Sequence, residues 1–233
     1  MPAAASTPER ARRQVRSYVR RAGRITTAQA RALEALWPKF GLEYAPFDLN
    51  LDVVFGRSVP RLLEIGFGNG EVLVEVAAQR GDWDCVGIEV HEPGVGRALL
   101  QAEARGLTNL RLFRHDAVEV LTHQLADDSF DEIFIFFPDP WPKTRHHKRR
   151  LIQGPFADLL ARKLRRGGIL RLATDWHPYA EQMRDVLDAC AGLINCAGSG
   201  KYSARPSIRP LTRFERRGQR LGHGVWDLEY QKR

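Results

Sequence analysis

Read from its sequence, the chain is an α/β domain built on a mostly parallel, doubly wound sheet with a final antiparallel strand. Three observations predict it. From about residue 60, short apolar runs alternate with helix-length segments, the order that yields a parallel sheet covered on both faces. Glu132-Ile-Phe-Ile-Phe-Phe137 is apolar on both faces, as a central parallel strand must be. The length of 233 residues suits one such domain with a short extension.

The elements follow in order. Residues 1–24 are rich in Ala, Pro and Arg without an apolar face, and are expected to form a flexible basic arm. Residues 25–59 form a helical segment packed on the domain. Within it Ala30, Leu33, Ala35, Leu36 and Trp37 space as a helix from Thr27 that Pro38 stops. The main domain, 60–233, opens with strand Arg61–Ile65, glycine turn Gly66–Gly70 and a helix from Glu71 to Ala78. Strand Cys85–Glu89, a helix from Gly94 to Arg105, strand Leu110–Arg114 and the central strand 132–137 continue the pattern. Helix 148–164, strand Ile169–Ala173 and helix 177–190 come next. Lys201–Pro210 is polar, contains two prolines and reads as a mobile loop. Val225-Trp-Asp-Leu-Glu-Tyr230 alternates as a last strand would.

Composition narrows the partners. Hydrophobic residues at 43% and charged residues at 27% support a buried core. With no apolar run of spanning length, no membrane partner is expected. The first residues lack the apolar stretch of a secretory signal, so a cytoplasmic location is expected. Cys85, Cys190 and Cys196 form no Cys-x-x-Cys pair and read as reduced thiols. The excess of 36 Lys+Arg over 28 Asp+Glu is clustered rather than spread. Seven arginines crowd residues 10–24 against Glu9 alone, and Arg145, Lys148, Arg149 and Arg150 form a second block. Two separated basic segments suit a long polyanion.

In a doubly wound sheet the ligand sits outside the carboxyl ends of the strands, where strand order reverses. Gly66, Gly68 and Gly70 let backbone approach a ligand there, and Glu89 ends the second strand, placed to accept ribose hydroxyls. A dinucleotide would share those features, but its turn is Gly-x-Gly-x-x-Gly, aimed at a pyrophosphate. This turn is Gly-x-Gly-x-Gly, preceded by Glu64. A carboxylate there repels pyrophosphate and favours a cation, which points to the sulfonium and amino group of S-adenosylmethionine. Asp116 follows the third strand, where it can accept from the adenine amino group.

The central strand runs into Phe137-Pro-Asp-Pro-Trp-Pro-Lys143, whose prolines stiffen the backbone around Asp139. This loop is similar to the Asp/Asn-Pro-Pro-aromatic segment of base-methylating enzymes. Taken with Leu63-Glu-Ile-Gly-Phe-Gly-Asn-Gly70, Arg145-His-His-Lys-Arg-Arg150, Ala173-Thr-Asp-Trp176 and Thr212-Arg-Phe-Glu-Arg-Arg-Gly218, in that order and spacing, the chain resembles the bacterial tRNA (guanine-N7-)-methyltransferase family. Arg16-Ser-Tyr-Val-Arg-Arg-Ala-Gly-Arg24 looks like that family's N-terminal segment, so the resemblance covers about residues 16–230.

The resemblance implies a Rossmann-like class I methyltransferase fold, S-adenosylmethionine as cofactor and the variable-loop guanine of tRNA as substrate. By motif, it implies that Glu64, Gly66, Gly68, Gly70, Glu89, Asp116 and Asp139 serve the cofactor, with Asp139 also catalytic. Lys143, Asp175, Thr212, Arg213, Phe214 and Glu215 would bind substrate, and Arg145, His146, His147, Lys148, Arg149 and Arg150 would contact RNA. The sequence departs from the family pattern at Thr144, where a Lys or Arg is usual, and at His115, where a small or amide residue is usual. Trp141 or Phe214 could stack on an unstacked base, or Trp141 could be core. His146-His147 lacks further ligands at metal spacing, so no metal is expected. No obligatory protein partner is expected, the chain acting as a monomer or homodimer. Competing readings are a base-amino methyltransferase, a nicotinamide-dependent oxidoreductase, which the turn spacing and Glu64 disfavour, and a non-catalytic RNA-binding module.

Overall fold

The protein is described by a computed structural model at residues 17–18, 24–211, 215 and 224–233. Its strands are β1 Gly41–Leu42, β2 Arg61–Ile65, β3 Asp84–Ile88, β4 Leu110–Phe113, β5 Phe130–Phe136, β6 Leu164–Thr174, β7 Leu193–Asn195 and β8 Trp226–Lys232. Its α-helices are α1 Thr27–Phe40, α2 Leu51–Phe55, α3 Glu71–Gln79, α4 Glu92–Ala104, α5 Ala117–His123, α6 Gly154–Lys163 and α7 His177–Asp188. Among the described residues the strands form one sheet in the order β1-β4-β3-β2-β5-β6-β8-β7. Every pairing is parallel except those of β8, which runs antiparallel to both β6 and β7. The chain moves outward from β2 through β3 to β4, then returns to β5 on the other side of β2. That reversal opens a crevice at the carboxyl ends of β2 and β5.

Successive strand side chains point to opposite faces, and the two apolar layers follow from it. Leu62 and Phe134 pack with Phe40, Leu73, Val76 and Leu99 of α1, α3 and α4. Leu63, Ile133 and Leu172 pack with Leu121, Phe156, Leu160, Met183 and Leu187 of α5, α6 and α7. Both β2 and β3 are buried at all five positions, so neither carries an amphipathic alternation.

Several boundaries differ from the sequence reading. Helix α1 begins with a capping box between Thr26 and Gln29 and continues through Pro38 to Phe40. Proline removes one intrahelical bond near the helix end, while continuing the turn buries Phe40 completely, a gain of about 1.5–3 kcal/mol. The helix expected from 148 starts at Gly154, where Pro155 occupies the first turn and its fixed φ favours initiation. Residues Thr144–Arg149 instead form a 3-10 turn. Strand β6 begins at Leu164, well before Ile169. Strands β1 and β7 and helices α2 and α5 were too short for their periodicity to register. The segment 201–210, expected as a mobile loop, is tied down: Arg209 is fully buried, and Ser203 donates its backbone N–H to the Asp227 carbonyl at 2.8 Å.

Candidate active site

The glycine turn after β2 is left-handed at all three glycines, with φ of 72°, 54° and 76° at Gly66, Gly68 and Gly70. A Cβ on Gly66 or Gly68 would meet nothing within 4 Å, so open space lies against the turn. Its position is set from behind. The Gly68 N–H donates to Glu89 Oε2 at 2.9 Å, and Glu89 Oε1 accepts from Val90 and His91 N–H at 2.6 and 2.9 Å. Gly94, in the first turn of α4, lies so near that an added Cβ would stand 2.2 Å from the Gly68 carbonyl oxygen.

Beside this turn is a cavity of about 310 Å³ whose walls come from four strand ends. Ile65 ends β2 and Gly66 follows it, Ile88 ends β3 and Glu89 follows it, His115 and Asp116 come just after β4, and Phe136 ends β5 with Phe137 to Asp139 following. Three of the four carboxylates expected to act together, Glu89, Asp116 and Asp139, therefore line one space. Asp116 also caps α5, its Oδ1 accepting from Val118 N–H at 2.8 Å. His115 stacks on Tyr44, ring centroids 3.9 Å apart and planes within 7°, and pairs with Glu119 at 2.5 Å. Ser17 and Tyr18, from the segment read as an arm, line the cavity too.

Glu64 has a different place. It lies under the turn, 3% exposed, and does not line the cavity. Its Oε2 has no hydrogen-bond partner among the described residues. Burial, and secondarily the charge of Glu89, pushes its carboxyl up to about 8, against a bond from the Leu73 backbone that lowers it.

The loop after β5 is bent into left-handed backbone at two non-glycine residues, Phe137 at φ 53° and Trp141 at φ 45°. Between them Asp139 is exposed. Trp141 is half-buried: its indole N–H donates to the Ser17 carbonyl at 3.0 Å, Arg149 lies 5.1 Å from its ring centroid, and His146 meets its edge. The indole thus organises the basic block rather than standing free for a base. Arg145 and Lys148 are exposed, His147 is half-buried, and burial together with Arg145 and Arg149 lowers the His146 imidazolium. Arg150 departs from expectation. It is 3% exposed and turned inward, donating to the Pro140 carbonyl at 2.9 Å and to Gln182 Oε1 at 2.5 Å, so it is not an exposed RNA contact.

Of the expected substrate residues, Lys143 is exposed at the start of the 3-10 turn, and Asp175 is half-buried just after β6; neither lines the cavity. Thr212, Arg213 and Phe214 lie outside the described residues, as does most of the basic arm. Glu215 is 1% exposed and paired with Arg205 at 3.0 Å and Arg209 at 3.2 Å, which places its carboxylate in an ion cluster. Two residues packed behind the site escaped sequence reasoning. Gly94 gives no signal because its small size matters only against Gly68, and Arg209 falls in the segment 201–210, which reads from sequence as a mobile loop.

A glycine turn at the switch of a doubly wound sheet, facing carboxylates on successive strand ends, defines a class I methyltransferase. A family model described as "Putative methyltransferase" matches residues 58–228. The chain is 58% identical over its whole length to the tRNA (guanine-N(7)-)-methyltransferase of Xanthomonas campestris pv. campestris, covering 89% of that protein. It is 54% identical, over 94% of its length and 90% of the relative's, to the enzyme of the same name from Pseudomonas aeruginosa. Among solved structures, the 16S rRNA methyltransferase KamB superposes with a TM-score of 0.58 at 16% identity, over 78% of this chain and 92% of that one, a likeness of fold. The chain belongs to the tRNA (guanine-N(7)-)-methyltransferase family.

Proposed function

We propose that this protein transfers the methyl group of S-adenosylmethionine to N7 of the variable-loop guanine in tRNA. The observation that carries the reading is the gathering of Glu89, Asp116 and Asp139 on one cavity beside the open glycine turn, in a chain whose relatives are named tRNA (guanine-N(7)-)-methyltransferase.

The cavity suits this cofactor. Backbone at Gly66 and Gly68 stands clear of side chains, leaving room for a ligand against it. Glu89 at the end of β3 would accept from the ribose hydroxyls, and Asp116 from the adenine amino group. When bound, the cofactor supplies an electrophilic methyl group on a sulfonium. Glu64, beneath the turn, would add negative potential on that side of the site once its carboxyl has lost its proton.

Guanine N7 carries an in-plane lone pair and no hydrogen, so no side chain has to remove a proton before methylation. The task left to the chain is alignment. An arginine fork on N7 and O6, the usual protein contact to guanine, would block the reacting atom. Recognition therefore shifts to the N1–H and N2–H donors, for which carboxylates are the matching acceptors. Asp139, exposed at the mouth of the cavity, would position the base and offset the positive charge that methylation places on it. Lys143, Arg145 and Lys148, exposed beyond Asp139, would meet RNA phosphates. The test is incubation with unmodified tRNA and labelled methyl donor, followed by mapping of the product. Label in 7-methylguanosine of the variable loop supports the reading, and label in another nucleoside, or none, overturns it.

A further inference from the structure

The backbone around Asp139 is held in a conformation that its own residues disfavour. Phe137 and Trp141 adopt left-handed φ, which non-glycine residues keep only when their surroundings over-determine it. Two buried arginines supply those surroundings, one at each end of the loop.

At the first end, the Arg209 guanidinium lies 5.3 Å from the ring centroids of both Phe136 and Phe137, within cation–π range. It is fully buried and bonded to Asp227, 2.9 Å to each carboxylate oxygen. Glu215 stands 3.2 Å away, and Arg205 bonds both the Glu215 carboxylate and the Arg209 carbonyl. Asp227 is on β8 opposite Ala173 of β6, and the Ala173 carbonyl accepts the Phe137 N–H at 2.8 Å. At the other end, Arg150 donates Nε–H to the Pro140 carbonyl at 2.9 Å. It is anchored by Gln182 on α7 and by the Tyr179 ring, 4.9 Å from its guanidinium. Both side chains span from the loop to a helix or strand of the rigid sheet layers.

Burying two guanidinium groups is costly, and well-packed apolar residues commonly serve stability as well. What arginine adds is a planar fork that fixes direction. We propose that Arg150 and Arg209 are positioning residues, a clamp that holds the Phe137–Trp141 loop so that Asp139 meets the guanine in register with the cofactor cavity. The clamp rests on the reading of Asp139 given above. It assigns a part in the reaction to Arg209, which does not line the cavity, and it makes Arg150 act through Pro140 rather than through RNA.

The test combines Arg209→Met, Arg150→Met, Phe137→Leu and Asp139→Ala, singly and paired with Asp139→Ala. Phe137→Leu removes a ring from the clamp without touching the ion cluster, so it serves if Arg209→Met fails to fold. For each variant, kcat and KM for tRNA are measured, with cofactor affinity by calorimetry as the check on folding. The clamp requires each single variant to lower kcat by about tenfold or more while KM for tRNA stays within about threefold. It also requires the losses to be strongly non-additive with Asp139→Ala. The dependence of KM on salt should be unchanged in Arg150→Met, whereas removal of a phosphate-binding side chain would flatten it. Full kcat in the arginine and Phe137 variants, or losses that simply add to that of Asp139→Ala, would overturn the clamp. If Asp139→Ala itself turns over at the full rate, the fault lies in the Asp139 reading instead.

Discussion

The Glu64 carboxyl, buried beneath the glycine turn, lies close enough to Glu89 that the Glu89 charge adds to burial in raising it. Glu89 is itself committed to the turn, its Oε2 accepting the Gly68 N–H at 2.9 Å. A residue read as a cofactor ligand thus lies under the turn rather than in the cavity wall, buried with one oxygen unpartnered among the described residues.

A pH dependence of cofactor binding follows from that placement. With its carboxyl pushed up to about 8, Glu64 holds a proton at neutral pH and must release it to present a charge to a cationic ligand. Affinity for S-adenosylmethionine, measured by calorimetry, should therefore rise with pH below about 8 and level off above it, by at most about tenfold per pH unit. Glu64→Gln should flatten the profile. Stability of the ligand-free protein carries the opposite sign: the folded form binds the extra proton between the ordinary value of 4.5 and about 8, so stability falls as pH rises through that window. A wild-type binding curve without slope would show that Glu64 does not sense the ligand.

Gly94→Ala should damage the cofactor site while sparing the fold. The new methyl would stand 2.2 Å from the Gly68 carbonyl oxygen, and backbone rather than a flexible side chain has to move. Cofactor affinity is expected to fall about tenfold or more, with a displaced turn of this kind costing about 1–3 kcal/mol. Unchanged affinity in a titration of the purified variant would mean that the turn adapts freely.

Asp139→Asn keeps the shape of the side chain and removes its charge. At saturating cofactor and tRNA, its turnover should drop by about a hundredfold, the scale of removing one electrostatic interaction from the transition state. Single-turnover kinetics would expose the alternative, an undiminished methyl-transfer rate.

Replacing Arg145 and Lys148 by alanine should weaken tRNA binding most at low salt. Both are exposed, and every phosphate that a variant no longer neutralises lowers the slope of log affinity against log salt by about 0.7–0.9. Filter-binding titrations across a range of salt should show a shallower slope with the cofactor affinity intact.

Phe40→Ala tests why α1 runs past its proline. Phe40 is fully buried against the α3–α4 layer, and its truncation should cost about 3–5 kcal/mol of stability. Denaturant unfolding gives the comparison, and a loss below about 1 kcal/mol would show that the end of α1 is not part of the cooperative core.

The order of strands and helices, the glycine turn, and the carboxylates on successive strand ends were legible in the sequence. Each is a local pattern: an apolar run, three glycines at fixed spacing, an acid where a strand stops. Burial at the sheet centre and the rule that ligands sit at strand carboxyl ends convert such patterns into Glu89, Asp116 and Asp139 sharing one cavity. What tertiary structure alone decided was which polar groups face inward. Arg150 and Arg145 are chemically identical in a basic run, yet one lies under Pro140 and the other in solvent. Arg209 and Asp227, eighteen residues apart, meet only because β8 returns beside β6, and Gly94 matters only because α4 presses on Gly68. Sequence periodicity reports the face a residue takes along its own element, whereas pairing and close approach across elements depend on long-range packing that no local pattern encodes.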